Sequence, residues 1–272
     1  MVKCGTWPVG VCSWSLHNDL PVIAEAMKKM GLEHINLAVG PVFEQNGSEY
    51  LKTVKKQNWK ISATMIAFAH EDYSTLDRIK LTGGIRPDEH WKNDSALFLK
   101  ALDVTAELGV PYLAFHAGFI DHTDAEYARK FYDRMKYLAD AAAKKKVTVL
   151  METGQETAQE LKMFLEEMKH PALAVNFDPA NMILYDKGIP AEAVRTLAPW
   201  VKHLHVKDAI RTTQPGQWGS EVPWGEGQVN SNNSFLKALK EIGFQGTMCI
   251  EREAGEKRLE DIALAVSRLR KA

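Results

Sequence analysis

"VTVLMETGQETAQELKMFLEEMKHPALAVNFDPAN" runs from Val147 to Asn181. A short apolar run, "VTVL", leads through "METG" into the amphipathic stretch "TAQELKMFLEEMKH", and a second apolar run, "ALAVNF", follows. Short strands that are apolar on both faces, joined by a helix, are the unit of a parallel sheet covered on both sides. Working outward, the same unit recurs. On the N-terminal side stand "VGVCSWSL", "HINLAVG", "KISATMIAFAH" and "PYLAFHAG", each followed by an amphipathic stretch. On the C-terminal side, "VKHLHVKD" and "GTMCIERE" continue it. Helix stops such as Gly31, Gly109 and Gly243 fall shortly before the next strand. Eight strand–helix units in 272 residues predict an α/β fold, a single closed (β/α)8 TIM barrel spanning residues 1–272. An open doubly wound sheet more often carries a Gly-rich turn after its first strand, and "CSWSLHND" is not one. Two stretches, "EDYSTLDRIKLTGGIRPDEHW" and "AIRTTQPGQWGSEVPWGEGQVN", read as long loops. The second, with Trp218 and Trp224, is too long for an ordinary strand–helix turn and reads as a lid over a substrate.

Composition narrows the class. Lys plus Arg number 34 and Asp plus Glu 35, giving a net charge of -1. Such a balance offers no general attraction to nucleic acid or to an anionic membrane, so neither is expected as a partner. Cys4, Cys12 and Cys249 are too few and too widely spaced for a disulfide framework or a Cys-based zinc site. No signal-peptide h-region opens the chain and no apolar run approaches the roughly 20 residues of a membrane span, so a cytoplasmic protein is expected.

In a TIM barrel the chemistry belongs at the C-terminal ends of the strands. There this sequence places His70, His116, Glu152, Asp178, His203 and His205, then Glu251 and Glu253. Inward carboxylates are costly unless paired. Glu152, Asp178, His205 and Glu251 come from four successive strands and can converge on one cation. Three carboxylates and one imidazole suit Mg2+, Mn2+ or Co2+, and also Zn2+. The competing arrangement is a set of salt bridges to Lys202, Lys207 and Arg252. His203 shares the face of His205 and reads as a packing residue. His116 reads as a substrate contact, His70 as a rim residue, and Trp14 as an aromatic wall.

The ordered set "METG", "NFDPANM", "HLHVKD", "EVPWGEGQV" and "IEREAG" resembles the sugar phosphate isomerase/epimerase group with a xylose isomerase-like barrel, over nearly the whole chain. By that resemblance Glu152, Asp178, His205 and Glu251 are divalent-metal ligands. Glu152 and Glu251 are also the acid/base pair, and Arg211 holds substrate oxygens. The sequence departs from ketose 3-epimerases of the group at Asn181, where they have His, and at Ala158, where they have Glu. It departs from the DNA-repair endonucleases of the fold at Asn181 and in lacking a DxH after His205.

The function expected is divalent-metal-dependent isomerisation or epimerisation of a small sugar or keto-sugar. Proton abstraction by one glutamate gives an enediolate, and the other glutamate returns the proton. His116, Lys207 and Arg211 orient hydroxyls. The nearest alternative is a lyase or dehydratase acting on a keto-sugar or inosose. A non-catalytic sugar-binding barrel is a rival of another class. A homo-oligomer is compatible with the resemblance, although no sequence feature requires one.

Overall fold

Eight parallel strands close on themselves in the computed structural model, which describes residues 1–272. They are β1 (Trp7–Cys12), β2 (His34–Ala38), β3 (Lys60–Met65), β4 (Tyr112–Phe115), β5 (Thr148–Glu152), β6 (Leu173–Phe177), β7 (Val201–Val206) and β8 (Thr247–Ile250). Each pairs in parallel with the next. β8 returns to β1 with Met248 opposite Val9, Cys249 opposite Gly10 and Ile250 opposite Val11, which closes the barrel. Gly10 is required at that seam. A Cβ there would stand 2.6 Å from the His34 carbonyl oxygen and 2.9 Å from Cys249 Sγ.

Strand alternation decides which side chains reach the site. On β5, Val149 and Met151 belong to the main core between barrel and helices, so Leu150 and Glu152 point the other way, into the barrel. The same alternation on β6 sends Val175 and Phe177 outward and Asn176 inward, with Asp178 next on that side. On β7 it sends Leu204 and Val206 outward and His203 and His205 inward. On β8 it sends Met248 and Ile250 outward and Cys249 inward, followed by Glu251. The strands are therefore not apolar on both faces, as their composition suggests. The inner face carries Asn36, Asn176, His203 and His205, all buried, with Ser62 half-buried beside them. These groups are tolerated because they bond one another. His203 Nδ1 lies 2.8 Å from Asn176 Oδ1, and its Nε2 lies 2.9 Å from Ser62 Oγ.

The first long "loop" is interrupted by a helix, α1 (Leu76–Thr82), and the next helix is α2 (Asp88–Glu107). The Thr75 hydroxyl accepts the Arg78 N–H at 3.1 Å and so caps α1, a signal hidden in the polar run. After β6, Asp178 caps a short helix, α3 (Pro179–Leu184), that the sequence pattern does not separate from its surroundings. The stretch after β7 is partly ordered as a hairpin, Asp208–Ile210 against Ser220–Val222. Gly31, Gly109 and Gly243 adopt φ of 70°, 67° and 66°, the left-handed caps expected of them. The three cysteines are free and buried. No helix is long and apolar enough to cross a membrane.

Candidate active site

The four residues expected to converge do so. One ligand-type atom from each of Glu152, Asp178, His205 and Glu251 lies within 4.8 Å of the others, and all four residues are buried. His205 Nδ1 is 3.3 Å from Glu152 Oε1, 3.2 Å from Glu251 Oε2 and 3.9 Å from Asp178 Oδ2. Its other nitrogen is set by the inner polar layer. Asn36 Nδ2 donates to the Ala63 carbonyl at 3.0 Å, which turns Asn36 Oδ1 toward His205 Nε2, 3.0 Å away. His205 Nε2 therefore keeps its proton toward Asn36, and loss of the proton on Nδ1 would leave a lone pair facing the carboxylates.

The cluster is also partly paired, so the salt-bridge arrangement foreseen from sequence contributes. Lys207 Nζ lies 3.1 Å from Glu251 Oε2, 3.8 Å from Asp178 Oδ2 and 2.6 Å from Glu253 Oε2. Lys202 donates to the Pro199 carbonyl instead, and Arg252 binds Glu221 and Asp261. Burial opposes ionisation of Glu251, but Lys207, His205 and the Trp14 indole outweigh it and hold its carboxyl well below the usual range. Burial likewise opposes ionisation of Glu152, and His116 and His205 keep it below the usual range. Asp178 goes the other way. Burial, with the neighbouring charges of Glu251 and Glu152, pushes its carboxyl well up despite Lys207. Burial disfavours charge on His205 as well, yet the carboxylates of Glu251 and Glu152 hold it well above the ordinary histidine value. The Cys12 thiol beside it is held well up by burial and stays protonated.

Glu152 Oε2 and Asp178 Oδ2 are buried without a hydrogen-bond donor, and Glu251 Oε2 faces the Lys207 ammonium at 3.1 Å and His205 Nδ1 at 3.2 Å. Buried carboxylate oxygens converging with an imidazole nitrogen fit a hard divalent cation. Two donors fix the remaining oxygens of the glutamates. Trp14 Nε1 donates to Glu251 Oε1 at 2.5 Å, and Asn181 Nδ2 donates to Glu152 Oε1 at 3.2 Å. Gly154, at φ 137°, leaves room for Asn181, because a Cβ there would stand 2.3 Å from Asn181 Cβ.

A cavity of about 840 Å³ opens above the cluster. Trp14, His116, Lys207 and Glu251 line it, as do Tyr73, Tyr185 and Trp218. His116 Nε2 is 3.6 Å from Glu152 Oε2. Trp218 packs edge-on against Tyr185 at 4.7 Å between ring centres, so the loop after β7 does supply part of the wall. Trp224 of the same loop is buried away from the cavity. Two expected contacts are placed elsewhere. Arg211 ion-pairs with Asp186 and donates to the Gly188 carbonyl, and it does not line the cavity. His70 stacks on His90 at 4.2 Å, pairs with Asp94 at 3.7 Å, and also lies outside the lining. Glu71, Tyr73 and Tyr185 are among the lining residues that the sequence does not point to. Glu71 accepts the N–H groups of Gly84 and Phe68 at 2.9 and 3.3 Å, and burial raises its carboxyl above the usual range.

The sequence profile of the family described as xylose isomerase-like TIM barrel matches residues 24–272. The chain belongs to that family. A solved xylose isomerase domain protein from Planctomyces limnophilus is similar over 98% of each chain, at 28% identity and a TM-score of 0.87. A xylose isomerase-like TIM barrel protein from Mycobacterium smegmatis, solved in complex with magnesium, is 17% identical with a TM-score of 0.73, over 100% of this chain and 98% of that one. The 3-keto-D-glucoside 4-epimerase of E. coli is 15% identical with a TM-score of 0.70, over 98% of this chain and all of that one. Other structures sharing the fold at 14 to 18% identity include sugar 3-epimerases and a probable 3-DHS dehydratase. Among curated proteins, an uncharacterized E. coli protein, YihM, is 34% identical over 65 residues, which is 24% of this chain and 20% of that protein.

Proposed function

We propose that this member of the xylose isomerase-like family isomerises or epimerises a small sugar or keto-sugar, moving a proton at the carbon beside a carbonyl. The observation that carries the reading is the pair of glutamates. Glu152 and Glu251 rise from β5 and the end of β8 and reach the same histidine nitrogen; Glu152 keeps one buried oxygen free of hydrogen-bond donors, and Glu251 has the Lys207 ammonium as its counter-ion at 3.1 Å. Both are held ionised, as a base must be. Glu152, Asp178, His205 and Glu251 would hold a divalent cation such as Mn2+, Mg2+ or Co2+, which supplies Lewis-acid stabilisation of the charge that develops on the substrate oxygen. Lys207 and His116 present donors to substrate oxygens from the cavity wall. Trp14 fixes the Glu251 carboxylate and offers an apolar face. Trp218 and Tyr185 cover the substrate and limit water. Sugar epimerases and the magnesium-bound neighbour of the same fold support the reading.

Glu71 favours a second reading. A carboxyl raised by burial at the cavity wall can stay protonated and donate to a departing hydroxyl, which would make the reaction a dehydration. A probable dehydratase shares the fold.

The test is isotopic. Neutral ketoses, 3-keto-glycosides and inososes are incubated in D2O with the Mn2+-loaded protein, and deuterium at the carbon beside the carbonyl is followed by NMR. Incorporation with a saturated isomeric product is the expected result. An α,β-unsaturated product transfers the assignment to a lyase, and no incorporation with any substrate removes both readings. Cation binding has its own expectation. His205 must give up its proton to ligate, so calorimetry with Mn2+ should show proton release and an affinity that falls as pH is lowered.

A further inference from the structure

TIM barrels commonly bind phosphate with backbone N–H groups of the loops after the seventh and eighth strands. This chain builds such cradles and then fills them with its own carboxylates. After β8, the N–H groups of Glu253 and Ala254 point at Glu221, at 3.0 and 3.3 Å, and Arg252 Nη1 reaches the same carboxylate at 2.6 Å. Glu221 stands at the cavity wall, and Arg252, the only arginine beside it, also bonds Asp261 at 2.8 Å. After β7, the N–H groups of Gly225, Gly227 and Val229 converge on the buried carboxylate of Asp208, at 2.9, 3.1 and 3.0 Å. The remaining cation of the cavity is Lys207, and its ammonium already faces Glu251, Glu253 and Asp178. Against it the wall sets Glu44, Glu71, Glu221, Glu251 and Glu253.

We infer that the cavity takes an uncharged carbohydrate and rejects phosphorylated and other anionic ones, with Glu221 as the specificity-determining residue because it occupies the anion cradle that a phosphate would need. This rests on the reading of the cavity as a carbohydrate site. Two physical terms act together. A phosphate brought to the wall meets a surplus of carboxylates, and the two cations nearest to it, Arg252 and Lys207, already face internal carboxylates. A neutral polyol suffers neither cost, since hydroxyls both donate to the carboxylates and accept from Lys207.

The experiment titrates inorganic phosphate calorimetrically into the Mn2+-free wild type and into Glu221→Ala and Glu221→Gln, with melting curves to confirm that each variant is folded. The wild type should show no saturable binding at about 10 mM, a Kd weaker than that end of the ordinary range. Glu221→Ala, which frees the Arg252 guanidinium and two N–H groups, should bind at least roughly tenfold more tightly. Glu221→Gln, which keeps an acceptor but loses the charge, should fall between them. Saturable phosphate binding by the wild type overturns the inference, and so does a folded Glu221→Ala that binds no better than wild type. On the wild type, turnover of a ketose phosphate in preference to the free ketose also overturns it while leaving the isomerase reading intact. Failure to turn over either sugar removes that reading, and the phosphate titration then decides the inference alone.

Discussion

Glu251→Gln and Glu152→Gln are each expected to lower the rate of product formation by roughly 10²–10⁴-fold, the usual worth of a positioned general base. Their isotope behaviour should differ. The two glutamates hold different places: Glu251 lines the cavity, whereas Glu152 lies deeper beside His116. If one removes the proton and the other returns it, loss of the first abolishes both product and deuterium wash-in. Loss of the second abolishes product but leaves wash-in at the original carbon. Gln is the informative substitution because it keeps the acceptor oxygens used by Trp14 Nε1 and Asn181 Nδ2, so the scaffold around each position is retained. Both variants should also bind Mn2+ more weakly, since each loses one of three carboxylate ligands. Saturating Mn2+ therefore has to be shown for each variant before its rate is read. A fully metal-loaded Glu251→Gln that turns over at the wild-type rate would sink the two-base mechanism.

The barrel and the four-residue cluster were legible for one reason: both follow from local periodicity. Val149 and Met151, or Leu204 and Val206, alternate with Glu152 and His205, so once the strands are recognised the inward carboxylates and imidazole fall at one end. What stayed hidden depends on pairing across the barrel. Asn36 and Asn176 look like interruptions in apolar strands, and their partners are on β7, far away in sequence. The Glu221 and Asp208 cradles require a hairpin to bring N–H groups to a carboxylate 17 to 33 residues away. The resemblance puts Arg211 on the substrate, but Asp186 and the Gly188 carbonyl, both on the segment after α3, take its guanidinium. The sequence pattern puts His70 at the end of a strand, but β3 stops at Met65 and the following turn carries the imidazole toward α2.

Glu156 was invisible for the same reason, and it carries the second large expectation. It lies in the turn after β5, four residues beyond Glu152, and is 4% exposed. Burial, reinforced by the charge of Glu160 and only partly offset by Lys187, raises its carboxyl to about 8. In the unfolded chain the same group titrates near 4.5. Between those values the folded protein holds a proton that the unfolded chain has released. Stability contributed by this group therefore falls as pH rises from about 4.5 and levels off above about 8. At about 1.36 kcal/mol per unit of separation, the loss is of order 5 kcal/mol once the whole window is crossed. Glu156→Gln keeps the volume and the hydrogen-bonding capacity but has no charge to desolvate. The variant should match the wild type near pH 4.5 and exceed it above pH 8, by roughly 10–20 °C in Tm at 2–4 °C per kcal/mol. Thermal melts at half-unit pH steps, without added metal, measure the difference directly. Identical slopes for the two proteins would mean that the carboxyl is ionised in the fold and paired with Lys187. A steeper wild-type slope would mean that a neutral carboxyl is retained next to the β5 terminus at a cost to stability. If Glu156→Gln then gains stability and loses turnover, that cost maintains the setting of Glu152, the usual exchange of stability for a working site.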